Sequence, residues 1–237
     1  KCLVALAEPN SALARSMEFR FDEGELDGHA LGNLLLSAMS EVCGGLTSAL
    51  DELGKLLGVR GRVLPATVEP VDLVALTVDG RRVRGQVAVM GTSGIDHVSL
   101  SPADAHVAPD VLERIDAAEL IVLGPGSLYT SVLAATAVPA VTEAIGRSSA
   151  HLVYVCNLRP QEGETAGYGV ADHVRALHRH GLHPDTVLFD PSLDSGEGVP
   201  GGVPARLAAA DSNVHDPHLL EQALRAQLAL RGPNLIP

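Results

Sequence analysis

LIVLGPGSLYTS, residues 120 to 131, runs four consecutive apolar residues into a Gly-Pro-Gly turn and then a hydroxyl-rich segment. A short apolar run bounded by turn residues reads as a strand buried on both faces, and the residues after it read as a helix to about Ala135. Working downstream, Pro139 to Arg147 reads as a further helix, and His151 to Cys156 as a second buried strand. A polar loop from Asn157 to Tyr168 and a helix from Val170 to His180 follow, and Thr186 to Phe189 is a third strand. Strand, loop and helix repeating at this length predict an α/β fold built on a mostly parallel sheet.

Beyond Phe189 the pattern weakens. Residues 191–202 are rich in Gly, Pro and Ser and are expected to be mobile. Ala205 to Ala210 reads as a last strand, and Asp216-Pro217 as the cap and first residue of a helix to about Leu230. Upstream, Lys1 to Leu57 reads as helical, with Leu31, Leu34, Leu35, Ala38 and Met39 on one spacing. After Gly44-Gly45 the spacing resumes at Leu46, Ala49, Leu50, Leu53, Leu56 and Leu57, and Gly58 ends it. Val63-Leu64-Pro65 reads as a short strand, and Val71–Val78 with Val83–Val89 as an antiparallel hairpin turning at Asp79-Gly80. With no repeat and no clean linker, residues 1–237 are expected to form a single domain.

Composition narrows the function. Hydrophobic residues make up 46% of the 237, so the chain can bury a large core, whereas aromatics are only 3%. A net charge of -12 argues against a general nucleic-acid binder, which needs a basic face. It leaves room for a small phosphate-bearing ligand held by backbone N–H groups. Cys2, Cys43 and Cys156 are far apart, which supports neither disulfides nor a zinc ribbon and suits a reducing cytoplasm. No apolar run approaches the roughly 20 residues of a membrane span.

Three elements carry candidate chemistry. In the first, Gly124 and Gly126 let a ligand approach the backbone, and Ser127, Thr130 and Ser131 add hydroxyls. It is neither a P-loop nor a nucleophile elbow, and a tight capped turn explains it equally well. In the second, Asn157, Gln161, Glu164 and Thr165 offer hydrogen bonds at the same rim, and Asp172 with His173 offer acid, base or metal-ligand chemistry. An exposed loop followed by a capped helix is the alternative. The third is Asp27 to Asn33, where His29 and free N–H groups at a helix start face a phosphate, or Gly32 only permits close helix packing. His178, His180, His183 and Asp185 read as surface composition, and Cys156 as core.

In order along the chain, CLVALAE (Cys2–Glu8), LDGHALGNLLLSAM (Leu26–Met39), VRGRVLPAT (Val59–Thr67), LIVLGPGSLYTSVL (Leu120–Leu133), VYVCNLRPQEGET (Val153–Thr165) and ADHVRAL (Ala171–Leu177) resemble the gluconeogenesis-factor family. This is the YvcK-like branch of the CofD-like superfamily. The resemblance implies a cytoplasmic CofD-like, Rossmann-related three-layer fold, and the Arg- and Ala-rich composition suggests an actinobacterial source. It implies a UDP-sugar such as UDP-glucose or UDP-N-acetylglucosamine, or another nucleotide, as ligand. It also implies a regulatory role in cell shape and in growth on gluconeogenic carbon. By similarity the ligand site falls on Gly28, His29, Asn33, Gly124, Gly126, Ser127, Tyr129, Thr130 and Asn157. CofD relatives are phospholactyl transferases acting on a deazaflavin precursor with a divalent metal, so that enzyme, with magnesium, is the rival reading. An interaction protein that has lost the ligand is a third, and a homo-oligomer is an open arrangement.

The sequence departs from the family in three places. The family's glycine-rich first strand-turn-helix is expected before Lys1, Glu162 stands where relatives have Pro, and Met90–His97 lacks the usual basic residues.

Overall fold

The computed structural model describes residues 1–8, 11–210 and 212–229. Its chain forms two compact units, residues 1–68 and residues 69 onward.

The first unit is helical. It comprises α1 (Cys2–Leu6), α2 (Ala12–Met17), a 3-10 turn at Gly24–Leu26, α3 (Leu31–Val42) and α4 (Leu46–Leu57). Ser11 caps α2 by accepting the Ala14 N–H at 3.3 Å. Leu3, Met17, Leu50, Leu53 and Leu57 make the core, with Leu35, Leu36 and Met39 of α3 packed against it. Ala49, Leu50, Leu53 and Leu57 of α4 form a buried stripe, as their spacing predicts, whereas Leu46 and Leu56 of the same expected set stand exposed. Gly58 ends α4, as expected. Val63–Pro65 is not a strand: among the described residues its backbone pairs with no strand, and Val63 packs on the helical core instead.

The second unit holds two sheets. The antiparallel one has the order β2-β1-β3, from β1 (Asp72–Thr77), β2 (Arg82–Arg84) and β3 (Ile95–Ser101). The expected hairpin is present and turns at Asp79-Gly80, with the Gly80 N–H donating to Thr77 O. Its second arm is shorter than expected, because Gly85 breaks it and Gln86–Met90 forms α5. β3, on the other side of β1, has no counterpart in the expected element order. A register shift at Leu76/Thr77 disturbs the pairing of the two strands.

The parallel sheet has the order β4-β5-β6-β7. After α6 (Pro109–Asp116), β4 is Leu120–Leu123, followed by a π-helical turn at Leu128–Val132, α7 (Leu133–Thr136) and α8 (Pro139–Arg147). Then come β5 (His151–Val155), α9 (Val170–Arg179), β6 (Thr186–Phe189), β7 (Gly202–Pro204) and α10 (Pro217–Ala229). β5 and β6 lie inside the sheet and are buried almost throughout, which is why they read as continuous apolar runs. Among the described residues β4 has β5 as its only neighbour, and Val122 stands 37% exposed.

The last strand lies before the expected Ala205–Ala210, which is irregular. Pro204 ends β7 on the outer edge of the sheet, where a residue without an N–H is tolerated. Leu207 and Ala208 still enter the core. Asp216 caps α10 by accepting the N–H groups of His218 (2.9 Å) and Leu219 (3.1 Å). The expected end of that helix at Leu230 lies outside the described residues. Among the described residues no single helix is long and apolar enough to cross a membrane.

Candidate ligand site

The loops at the carboxyl ends of β4 and β5 build one polar knot. β4 ends at Leu123, and Gly124 turns the chain with φ +87°. A Cβ there would sit 3.0 Å from Val155 O, so the turn needs glycine both for its backbone conformation and for its close approach to β5. The Gly124–Pro125 bond is cis. Gly126 is less constrained, since an added Cβ would meet Ser131 Cβ at 3.4 Å. Ser127 then opens the helix, and its carbonyl accepts the N–H groups of Ser131 (3.0 Å) and Val132 (2.9 Å).

From β5 the loop folds back onto that helix start. Glu164, 1% exposed, accepts the backbone N–H of Tyr129 (2.8 Å) and of Thr130 (3.0 Å) on Oε2. Its Oε1 accepts the Thr130 hydroxyl at 3.0 Å. A helix start gathers unpaired N–H groups and a positive dipole end, and here the chain's own carboxylate fills it. Gly163 makes this possible. It has φ +84°, and a Cβ would fall 2.2 Å from Met90 O. The Ser93 hydroxyl donates to the Gly163 carbonyl at 3.0 Å.

A second chain of bonds runs nearer the opening. Asn157 Nδ2 donates to Gln161 Oε1 (3.1 Å), and Gln161 Nε2 donates to Ser127 Oγ (3.1 Å). The Gln161 N–H donates to Thr165 Oγ1 at 2.9 Å. The structure therefore brings together Ser127, Thr130, Asn157, Gln161, Glu164 and Thr165 from the two loops. The N–H groups of Gly126, Ser127 and Leu128 donate to no other described group.

Other expected residues lie deeper than their motifs suggest. Tyr129 is fully buried, and its hydroxyl donates to Ile95 O at 3.0 Å and meets Tyr168 Oη at 3.1 Å. Burial raises its pKa. Thr130 is also buried, so both side chains serve the chain itself. Asp172 is no free acid: its Oδ2 accepts the Gly169 N–H at 3.0 Å, capping α9, and its Oδ1 pairs with Arg175. His173 is fully buried with its pKa brought down to about 4 by burial, and Nδ1 lies 2.7 Å from Tyr154 Oη. Among the described residues its Nε2 has no hydrogen-bond partner. Burial likewise pushes the Cys156 thiol up to about 12, so it is core, as read.

The exposed-loop alternative for residues 157–168 holds in part: Arg159, Pro160, Glu162, Ala166 and Gly167 are exposed, and the helix that follows is capped, whereas Asn157, Leu158, Glu164 and Thr165 are buried. Surface composition describes His178 and His183 but not His180. The His180 Nδ1–H donates to Ala176 O (2.7 Å), Nε2 accepts the Val98 N–H (3.0 Å), and the ring stacks on His97 at 4.3 Å. No sequence spacing signals that role, because its partner strand β3 is remote in sequence.

Gly28, His29 and Asn33 belong to the first unit. Gly28 and His29 are exposed in the turn before α3, and Asn33 is exposed in its first turn. The Leu31 N–H donates to Phe19 O, so that helix start is partly satisfied by the chain. A Cβ on Gly32 would lie 2.7 Å from Met17 O, which supports the close-packing reading of that glycine.

The model of the family described as 2-phospho-L-lactate transferase CofD matches residues 1–215. The chain belongs to the CofD family. Among its relatives, the gluconeogenesis factor of Halalkalibacterium halodurans is 40% identical over 92% of this chain and 68% of its own length. That of Bacillus subtilis is 41% identical over 75% of the chain and 57% of its own. A Deinococcus radiodurans protein bearing the gluconeogenesis-factor name is 46% identical over 81% of the chain, which spans 42% of that relative. The crystal structure of a Bacillus halodurans member of the UPF0052 family superposes with a TM-score of 0.86 at 34% identity, covering 94% of this chain and 80% of that one. The fold is thus the CofD-like α/β fold.

The divalent metal of CofD-type transfer does not fit the donors found here. Among the described residues no three His, Cys, Asp or Glu side chains group to hold a metal ion. Glu164 and Asp172, the acidic candidates, are committed to backbone N–H groups.

Proposed function

We propose that this CofD-family chain is the ligand-binding part of a gluconeogenesis factor, a cytoplasmic regulator that binds a UDP-sugar and governs cell shape and growth on gluconeogenic carbon. The relatives' names support the gluconeogenesis role. The observation that carries the ligand reading is the rim joined by Ser127, Gln161 and Asn157, with the N–H groups of Gly126, Ser127 and Leu128 left open. Such a rim at the ends of parallel strands offers donors to a sugar or base and lacks a nucleophile–base pair. Gly124 lets the backbone come close, and Tyr129 and Thr130 hold the turn from beneath. Gly28, His29 and Asn33, in the first unit, are proposed as ligand-binding residues from the family resemblance alone.

Calorimetric titration of the full-length protein with UDP-glucose, UDP-N-acetylglucosamine and GDP tests this. A UDP-sugar should bind without turnover, and Asn157→Ala with Ser127→Ala should weaken it. Turnover at enzyme-like rates, or no binding of either UDP-sugar, would sink the proposal.

One observation favours a second reading: the family model itself is described as a 2-phospho-L-lactate transferase. Supplying activated phospholactyl donor, deazaflavin acceptor and magnesium would decide it, and absence of product removes that reading.

A further inference from the structure

Phosphate-bearing ligands need positive charge or open N–H groups, and Glu164 already occupies two N–H groups of the most suggestive helix start. A different feature at the same end of the sheet meets that need. Loops 158–160 after β5, 190–193 after β6, and Arg206, residues 208–210 and Ser212 after β7 wall a cleft of about 730 Å³. That lies within the roughly 300–1,000 Å³ range of small-molecule sites. It opens at the carboxyl ends of three parallel strands, the position where open α/β sheets bind ligands.

Its charge is unusual for a chain with a net charge of -12. Arg159 and Arg206 both line the cleft, and both are exposed. The Arg206 Nε–H donates to Ala208 O at 3.3 Å, which steadies its stem and leaves the outer guanidinium nitrogens available. Among the described residues no carboxylate pairs with either arginine. The one carboxylate among the described lining residues, Asp190, is turned inward. Its Oδ2 accepts the Leu207 N–H (2.8 Å) and its Oδ1 the Ser192 N–H (3.0 Å). The cleft is therefore lined by two exposed guanidinium groups, the chemistry that suits bidentate phosphate binding.

We propose that this cleft is an anion site in which Arg159 and Arg206 clamp the diphosphate of a nucleotide ligand across the ends of β5, β6 and β7. The nucleotide half of this assignment rests on the function proposed above, and the anion half on the cleft alone. The sugar then lies toward the Ser127–Gln161–Asn157 rim, since Asn157 and Arg159 share one loop.

The test is calorimetry on the full-length protein with inorganic pyrophosphate, UDP, UDP-glucose and uridine. The first three should bind more weakly as salt rises, and uridine should bind far less well than UDP. Arg159→Ala and Arg206→Ala should each weaken pyrophosphate and UDP by about 10-fold or more, the scale of a charge-assisted hydrogen bond. Arg159→Lys and Arg206→Lys should fall between, because a point charge remains without the fork. Both positions are exposed, so melting temperatures close to wild type serve as the folding control. UDP-glucose bound equally by wild type and the double alanine variant would overturn the anion site and leave the proposed function standing. Arginine-dependent pyrophosphate binding without any UDP-sugar binding would sustain the anion site and sink that function. Equal affinity for uridine and UDP would overturn the clamp, and no binding of any probe would overturn both.

Discussion

Replacing Glu164 tests the central claim that a buried carboxylate stands in for an anion at the helix start. In Glu164→Ala, the Tyr129 and Thr130 N–H groups lose their acceptor in a place closed to water. Each orphaned donor costs about 1–3 kcal/mol, offset in part because a buried charge no longer has to be desolvated. A net loss of about 3–4 kcal/mol follows for the second unit. Glu164→Gln keeps one oxygen for both N–H groups and presents its amide to Thr130 Oγ1, whose hydroxyl can turn to accept. It loses the charge at the helix dipole and should cost about 1–2 kcal/mol. The chain has no Trp and three Tyr, and Tyr129, Tyr154 and Tyr168 all lie in the second unit. Tyrosine fluorescence in a urea titration therefore reports that unit alone. Loss of less than about 0.5 kcal/mol in the alanine variant, or a glutamine variant as damaged as alanine, would refute the internal-anion account.

Three further outcomes follow from the geometry. Gly163→Ala should cost about 2–4 kcal/mol because its Cβ meets Met90 O, whereas Gly126→Ala should stay within about 0.5 kcal/mol; paired urea midpoints check both. His173 has its folded pKa depressed to about 4 against an ordinary 6.5, so the unfolded state binds the extra proton between those values. Its share of stability is present above pH 6.5 and is lost as pH falls toward 4, about 2 kcal/mol between pH 7 and pH 5. Comparing His173→Phe with wild type at the two pH values should show a flatter dependence, and identical slopes would contradict the assignment. Gly124→Ala should be destabilised by about 1–2 kcal/mol and should weaken UDP-sugar binding, which calorimetry reads directly.

The sequence reveals the parallel sheet well for a physical reason. β4 and β6 begin and end where their apolar runs do, and β5 stops one residue short. β5 and β6 are buried on both faces and so leave uninterrupted apolar runs between turn residues, whereas β4 carries such a run although only Leu123 of its four residues is buried. β3 was illegible because polar and apolar residues mix in Ile95–Ser101, and its burial departs from strict alternation. The alanines of Ala205–Ala210 read as the last strand, whereas the strand is Gly202–Pro204, because small apolar residues fit core loops as readily as strands. At the site, Ser127 and Asn157 were visible as strand-end polar residues. Glu164 was visible only as a loop acid, since nothing local says that its partner is a helix start more than thirty residues upstream. Arg159 and Arg206 are likewise brought to one cleft by the β5–β6–β7 topology, a relation no spacing rule encodes.

Asp190 gives the far end of the parallel sheet a shared clasp. Its two carboxylate oxygens hold the Ser192 N–H and the Leu207 N–H, so the segments after β6 and β7 hang from one side chain. Neither segment can be exchanged alone for that of a relative without leaving a buried carboxylate oxygen or a main-chain donor unmatched, so the two have to be grafted as a pair.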